Sequence, residues 1–279
     1  MSMEETTSGI SRNTVDIGNG VQIYYEEKGS GQPVVFIHGL WGSCRYFYRQ
    51  VQWFGERYRA IAIDLRGHGR SSMTLSGQTV PIYAQDLRSF ILTLALRDVV
   101  LVGWSMGCFV IWDCFKQFGA EHIKAMVDID QAPTDFKFDD FPVGLITFDM
   151  LCRWVAETQT NRNELAKEIV RMWFKNPLSE EDFEWMYHES TRPPEVVVGT
   201  ILFDQSVRDY RPVIEGFPIP TLICFGADES LQSLEAARWM EKVMKHARLE
   251  VFEESRHCPM LEEPERFNEV VDAFIRASE

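Results

Sequence analysis

Ser105 stands in Gly103-Trp104-Ser105-Met106-Gly107, a serine with a glycine two residues away on either side. Before it runs Val99-Val100-Leu101-Val102, a continuous apolar stretch expected of a strand buried on both faces, and after it Met106 to Phe118 reads as a helix. A serine at so tight a strand-to-helix bend takes a strained backbone conformation, and neighbours without side chains relieve the crowding. The hydroxyl is then lifted above the sheet at a helix N-terminus, whose positive dipole end favours a developing anion. Such a group can attack a carbonyl carbon. A neutral hydroxyl is a poor nucleophile, however, and needs a base within hydrogen-bond reach. Six histidines are available: His38, His68, His122, His188, His246 and His257.

The elements that must position these groups alternate along the chain. Val15 to Ile17 and Val21 to Glu26 flank Gly18-Asn19-Gly20, a hairpin signal. Pro33 to Ile37, Arg59 to Ile63, Val99 to Gly103, Ile123 to Ile129, Thr221 to Phe225 and Arg248 to Phe252 are further strands. Helices are predicted over Tyr46 to Tyr58, Pro81 to Leu96, Met106 to Phe118, Leu231 to Met244 and Pro264 to Ile275. Strand alternating with helix predicts an α/β fold, a mostly parallel eight-stranded sheet flanked by helices.

Between Pro133 and Pro212 the rhythm changes: the segment is rich in aromatics, among them Phe136, Phe148, Trp154, Trp173 and Trp185, and Met150 to Trp173 and Glu180 to Ser190 look helical. It is expected to be a helical cap, 133–212, inserted after the sixth strand into a core formed by 1–132 and 213–279. Most of its aromatics would form its own small core, and a few would face the sheet beneath.

The ordered motifs resemble the α/β-hydrolase superfamily from about Val21 to the C-terminus. Besides the serine bend, Phe36-Ile37-His38-Gly39-Leu40 is similar to that superfamily's His-Gly segment, and Asp64-Leu65-Arg66-Gly67-His68-Gly69-Arg70-Ser71 to its Asp-x-x-Gly-x-Gly-x-Ser loop. The likeness is to the branch of small esterases, lactonases, C–C bond hydrolases and cofactor-free haloperoxidase-like enzymes. It implies His257, in Ser255-Arg256-His257-Cys258-Pro259, as the base, with His38 and His68 structural; His122 and His246, near helix ends before strands, are expected on the surface, and His188, in the insertion, is a candidate substrate contact or a solvated residue. It implies Asp228 as the acid orienting the imidazole, because Asp228 follows the next-to-last strand and the order serine, acid, histidine suits the fold. Asp130, in Asp128-Ile129-Asp130, is the rival acid, and Glu229 a weaker one. The oxyanion donors implied are the backbone N–H groups of Leu40 and Met106, while Trp41 and Trp104 are candidate pocket walls.

The expected activity is a serine hydrolase that cleaves a small-to-medium, largely apolar carboxylic ester or lactone through an acyl-enzyme on Ser105. A C–C bond hydrolase or a perhydrolase would use the same triad. A hydrolase-fold small-molecule receptor with little turnover is the alternative from another class. Haloalkane dehalogenases and epoxide hydrolases of this superfamily carry aspartate at the bend, which Ser105 disfavours. No metal or other cofactor is expected, because no His, Cys, Asp and Glu cluster has ligand spacing.

A net charge of −14 argues against nucleic acid and anionic lipid surfaces as partners. No apolar run approaches the ~18 residues of a membrane span. The N-terminal Met1 to Ser11 lacks the basic start and apolar stretch of an export signal and reads as a loose arm. The six cysteines, Cys44, Cys108, Cys114, Cys152, Cys224 and Cys258, are scattered and read as reduced thiols in a cytoplasmic protein. A small-molecule substrate is the partner expected; oligomeric state is left open.

Overall fold

The structure, a computed structural model, describes residues 9–278. Most of the expected N-terminal arm lies outside these residues, and Ser11 opens the first strand. The strands are β1 (Ser11–Asp16), β2 (Gln22–Lys28), β3 (Pro33–Ile37), β4 (Arg59–Ile63), β5 (Val99–Trp104), β6 (Ile123–Ile129), β7 (Thr221–Gly226) and β8 (Ala247–Phe252). They form one eight-stranded sheet in the order β1-β2-β4-β3-β5-β6-β7-β8. The pairs β1/β2 and β2/β4 are antiparallel, and every later pair is parallel. The apolar strands β5 and β7 are buried at every position, as helices on both faces of a parallel sheet require.

Helices connect the strands: α1 (Tyr48–Phe54), α2 (Val80–Thr93) and α3 (Met106–Phe118) among the first six, then α9 (Leu234–Val243), α10 (Pro259–Glu262) and α11 (Pro264–Ala277). The helix expected over Tyr46 to Tyr58 is shorter, preceded by a 3-10 turn at Cys44–Phe47. Pro81 lies in the first turn of α2, where the missing N–H costs nothing.

Between β6 and β7 the chain leaves the sheet for α4 (Phe148–Thr160), α5 (Arg162–Met172), α6 (Glu180–Thr191), α7 (Glu195–Ser206) and the short α8 (Arg211–Ile214). The long helix expected over Met150 to Trp173 is two, broken at Asn161, whose backbone departs from helical geometry at φ −148°. Helix α7 was not anticipated. Its Val196-Val197-Val198 run is β-branched and favours strands in isolation, but Pro194 opens a helix there and packing decides the outcome. Gly199 lets α7 approach α4: a Cβ at that position would lie 2.9 Å from Thr158 Oγ1.

An aromatic cluster joins this insertion to the sheet. Tyr46 stacks on Trp104 at 4.9 Å between ring centroids and meets Trp185 of α6 edge-on at 5.0 Å, while Trp173 meets Trp104 at 5.1 Å. No helix of the described residues is long and apolar enough to cross a membrane.

One close approach sets the geometry of the sheet's C-terminal edge. The 255–256 backbone passes directly over Gly226, the last residue of β7, so that a Cβ there would overlap the Arg256 carbonyl oxygen. Gly226→Ala should therefore destabilise the fold by about 2 kcal/mol, the order of cost of overpacking a filled interior. Denaturant titration would register this as a lower midpoint at unchanged slope.

Candidate active site

Ser105 ends β5 and caps α3 with φ +54° and ψ −125°, a conformation an L-residue adopts only under constraint. Tight packing supplies the constraint. A Cβ on Gly107 would overlap the Ile37 carbonyl oxygen, and one on Gly39 would come within 2.9 Å of the Ser105 Cβ. The Ser105 N–H is tied to the Ile129 carbonyl at 3.0 Å, which locks the bend to β6. Ser105 is 9% exposed and lines a cavity of about 70 Å³ together with Leu40, Trp104 and His257.

His257 lies beyond β8, in the turn leading to α10, and both ends of its backbone are held. Its N–H donates to the Trp173 carbonyl of the insertion at 3.0 Å, and its carbonyl accepts from the Trp104 indole at 2.8 Å. Glu262 fastens the same turn: its carboxylate accepts from the backbone N–H of Arg256 at 2.9 Å and of Lys175 at 2.7 Å.

The imidazole Nδ1 donates to Asp130 Oδ2 at 2.8 Å, with both side chains almost wholly buried. Asp130 follows β6 with φ +51°, and its other oxygen accepts the Gly226 N–H at 3.0 Å. Burial pushes the Asp130 carboxyl above the ordinary carboxylate range, and the hydrogen bonds from His257 and Gly226 hold it back. With Nδ1 carrying the proton, Nε2 of the neutral ring is a lone-pair acceptor.

The structure thus joins His257 to the rival acid and not to Asp228. Where the chain crosses Gly226, Arg256 and His257 point to opposite sides. Arg256 pairs with Asp228 at 2.9 Å on the outer side, and His257 meets Asp130 on the inner side. Asp228 also accepts from Ser230, and Arg256 foremost holds its carboxyl down at about 2. Glu229 serves the start of α9, accepting the Leu234 N–H at 3.1 Å.

The other histidines divide as their positions require. His38 is buried; its Nε2 accepts the Leu65 N–H at 3.0 Å, so its Nδ1 donates to the Gly39 carbonyl at 2.7 Å and fixes the turn before Leu40. Burial holds the His38 ring well below the ordinary imidazole range, and drops His68 to about 4, so both are neutral struts. His188 and His246 are exposed, whereas His122, expected on the surface, is half-buried and its Nδ1 accepts from Arg97 Nη1 at 2.8 Å. Cys258, beside His257, is buried, which pushes its thiol well above the ordinary range.

Trp104, a candidate pocket wall, and Leu40, whose backbone N–H is the candidate oxyanion donor, both line the cavity. Trp41 does not: it is buried, and its indole N–H donates to the Val198 carbonyl of α7 at 3.3 Å, fastening the insertion instead. The N–H of Met106 belongs to the first turn of α3, where helix donors have no intrahelical partner. Sequence reasoning missed Asp135, Gln205 and Gln232, which form a polar corner of the cavity, and the apolar wall from Leu145, Ile146, Trp154, Ile169, Met172 and Leu202.

A sequence profile of the alpha/beta hydrolase family matches residues 34–270. Non-heme chloroperoxidase from Kitasatospora aureofaciens is 28% identical over 92% of this chain and 97% of its own. Among solved structures, an esterase from Exiguobacterium antarcticum superposes with a TM-score of 0.91 at 28% identity, covering 95% of this chain and 100% of that one. A bromoperoxidase from Bacillus anthracis gives a TM-score of 0.90 at 25% identity, with 95% of this chain and 100% of that one covered.

A proton held between an imidazole and a buried carboxylate resonates far downfield in the proton NMR spectrum. That signal should persist in Asp228→Asn and vanish in Asp130→Asn; the reverse pattern would contradict the pairing described here.

Proposed function

The chain belongs to the alpha/beta hydrolase family and is a hydrolase; on that premise we propose that it cleaves a small, largely apolar carboxylic ester or lactone with Ser105 as nucleophile, His257 as base and Asp130 as the acid of the triad. The observation that carries this reading is a cavity lined by both Ser105 and His257 and walled chiefly by apolar side chains. In the proposed cycle Ser105 Oγ attacks the carbonyl carbon while His257 Nε2 takes its proton. The oxyanion is held by the N–H groups of Leu40 and Met106, next to the positive end of α3. Asp130 keeps the ring in the right tautomer and stabilises its charged form. His257 then gives the proton to the leaving alkoxide, and water, deprotonated by the same nitrogen, hydrolyses the acyl-enzyme.

The names of two similar proteins favour a second use of the same intermediate. Hydrogen peroxide in place of water would attack the acyl carbon, lose its proton to His257 and leave as a peracid, while the bond to Ser105 Oγ breaks and that oxygen regains the proton. Peracid formed from an ester and peroxide, read by iodide oxidation, should depend on Ser105 as ester hydrolysis does.

Steady turnover of p-nitrophenyl acetate or butyrate tests the reading against that of a receptor. Ser105→Ala should lower kcat by about 10,000-fold or more, and Asp130→Asn by about 10,000-fold through loss of the correct tautomer. Asp228→Asn, which breaks only a partly exposed ion pair, should cost less than about threefold. Binding of a small molecule without turnover in the wild type would favour the receptor.

A further inference from the structure

The cavity is not uniformly apolar. Opposite its aliphatic and aromatic wall lies a corner built from Asp135, Gln205 and Gln232, each at most 7% exposed. The three come from separate parts of the chain: Asp135 just after β6, Gln205 on α7, and Gln232 in the loop between β7 and α9. Asp135 accepts from Gln205 Nε2 at 3.0 Å, and from Gln131 Nε2, behind it, at 2.7 Å; Gln232 Nε2 stands at 3.5 Å.

These contacts fix which way the amides face. With its nitrogen turned to the carboxylate, Gln205 keeps its Oε1 for something else, and that oxygen has no hydrogen-bond partner. A buried carbonyl left unpaired is costly, and a bound donor would recover that cost. The corner therefore offers acceptors: the Asp135 carboxylate and the Gln205 amide oxygen. None of the residues lining the cavity is Lys or Arg, so nothing there compensates a negative charge on a ligand.

Resting on the esterase reading above, we propose that the Asp135–Gln205–Gln232 corner is a specificity site for a hydrogen-bond donor, a hydroxyl or amino group, carried by the substrate away from its scissile carbonyl. The substrate class is then an otherwise apolar ester or lactone with such a donor. Esters bearing a second carboxylate are disfavoured, because the carboxylate would lie beside Asp135 with no cation to meet it.

The test compares p-nitrophenyl ω-hydroxyalkanoates of graded chain length with unsubstituted, ω-methoxy, ω-amino and ω-carboxy esters of matched size. At one chain length the hydroxy or amino ester should exceed its unsubstituted counterpart about tenfold in kcat/KM, and the ω-carboxy ester should be the poorest. Which of the two donors leads identifies the group recognised. In Gln205→Leu that preference should collapse toward unity. Loss of Gln205 as a mere strut would instead lower kcat/KM for all esters alike, leaving the ratio intact, and would overturn the proposal. So would a wild type that hydrolyses the esters with no donor preference at any length. If no ester is turned over, the esterase reading fails by itself. Donor recognition is then read on Ser105→Ala by calorimetry, where the methyl esters of ω-hydroxy acids should bind more tightly than their ω-methoxy ethers, and equal binding would overturn it.

Discussion

An imidazole has two nitrogens and, when neutral, one proton, so its use as a base depends on which nitrogen is protonated. In this chain the hydrogen bond from His257 Nδ1 to Asp130 decides the matter. Nearly every unusual backbone feature near the sheet's C-terminal edge serves to make that bond possible. Asp130 takes a left-handed conformation, Gly226 offers its N–H to the second carboxylate oxygen, and the absence of a side chain at 226 lets the 255–256 segment lie flat on β7. A carboxylate removed from water is costly unless its lone pairs are met, and here one oxygen is met by the ring and the other by the backbone.

The Ser105 side of the cavity is built with the same economy of space. Ser105, Gly39 and Gly107 are packed so closely that their positions are mutually determined, and His38, a neutral internal strut, holds the turn facing them. Trp104 links the two halves. Its backbone precedes Ser105, while its indole N–H holds the carbonyl of His257. The sheet thus delivers the serine and a distant loop delivers the imidazole, and one tryptophan fixes the spacing between them.

Much of this was legible in the residues. The apolar runs place β3 to β8 close to their observed bounds, whereas β1 starts at Ser11, four residues before the expected Val15; the glycine-flanked serine with its following helix has the geometry expected of it. The carboxylate that pairs with His257 was not decided by such local signals. Asp130 and Asp228 both follow strands, and the choice between them is made by a crossing over Gly226 that turns neighbouring residues 256 and 257 to opposite sides. Helix α7 was hidden for a different reason: three successive valines point toward a strand, and only burial against α4 makes a helix the better state. The polar corner escaped notice because Asp135, Gln205 and Gln232 lie far apart in sequence and share no motif.

The insertion grips the His257 loop through two main-chain donors, the His257 N–H on the Trp173 carbonyl and the Lys175 N–H on Glu262. This stretch after α5 is consequently an anchored margin. Were the roof to lift there, the imidazole would lose its backbone tether in the same movement.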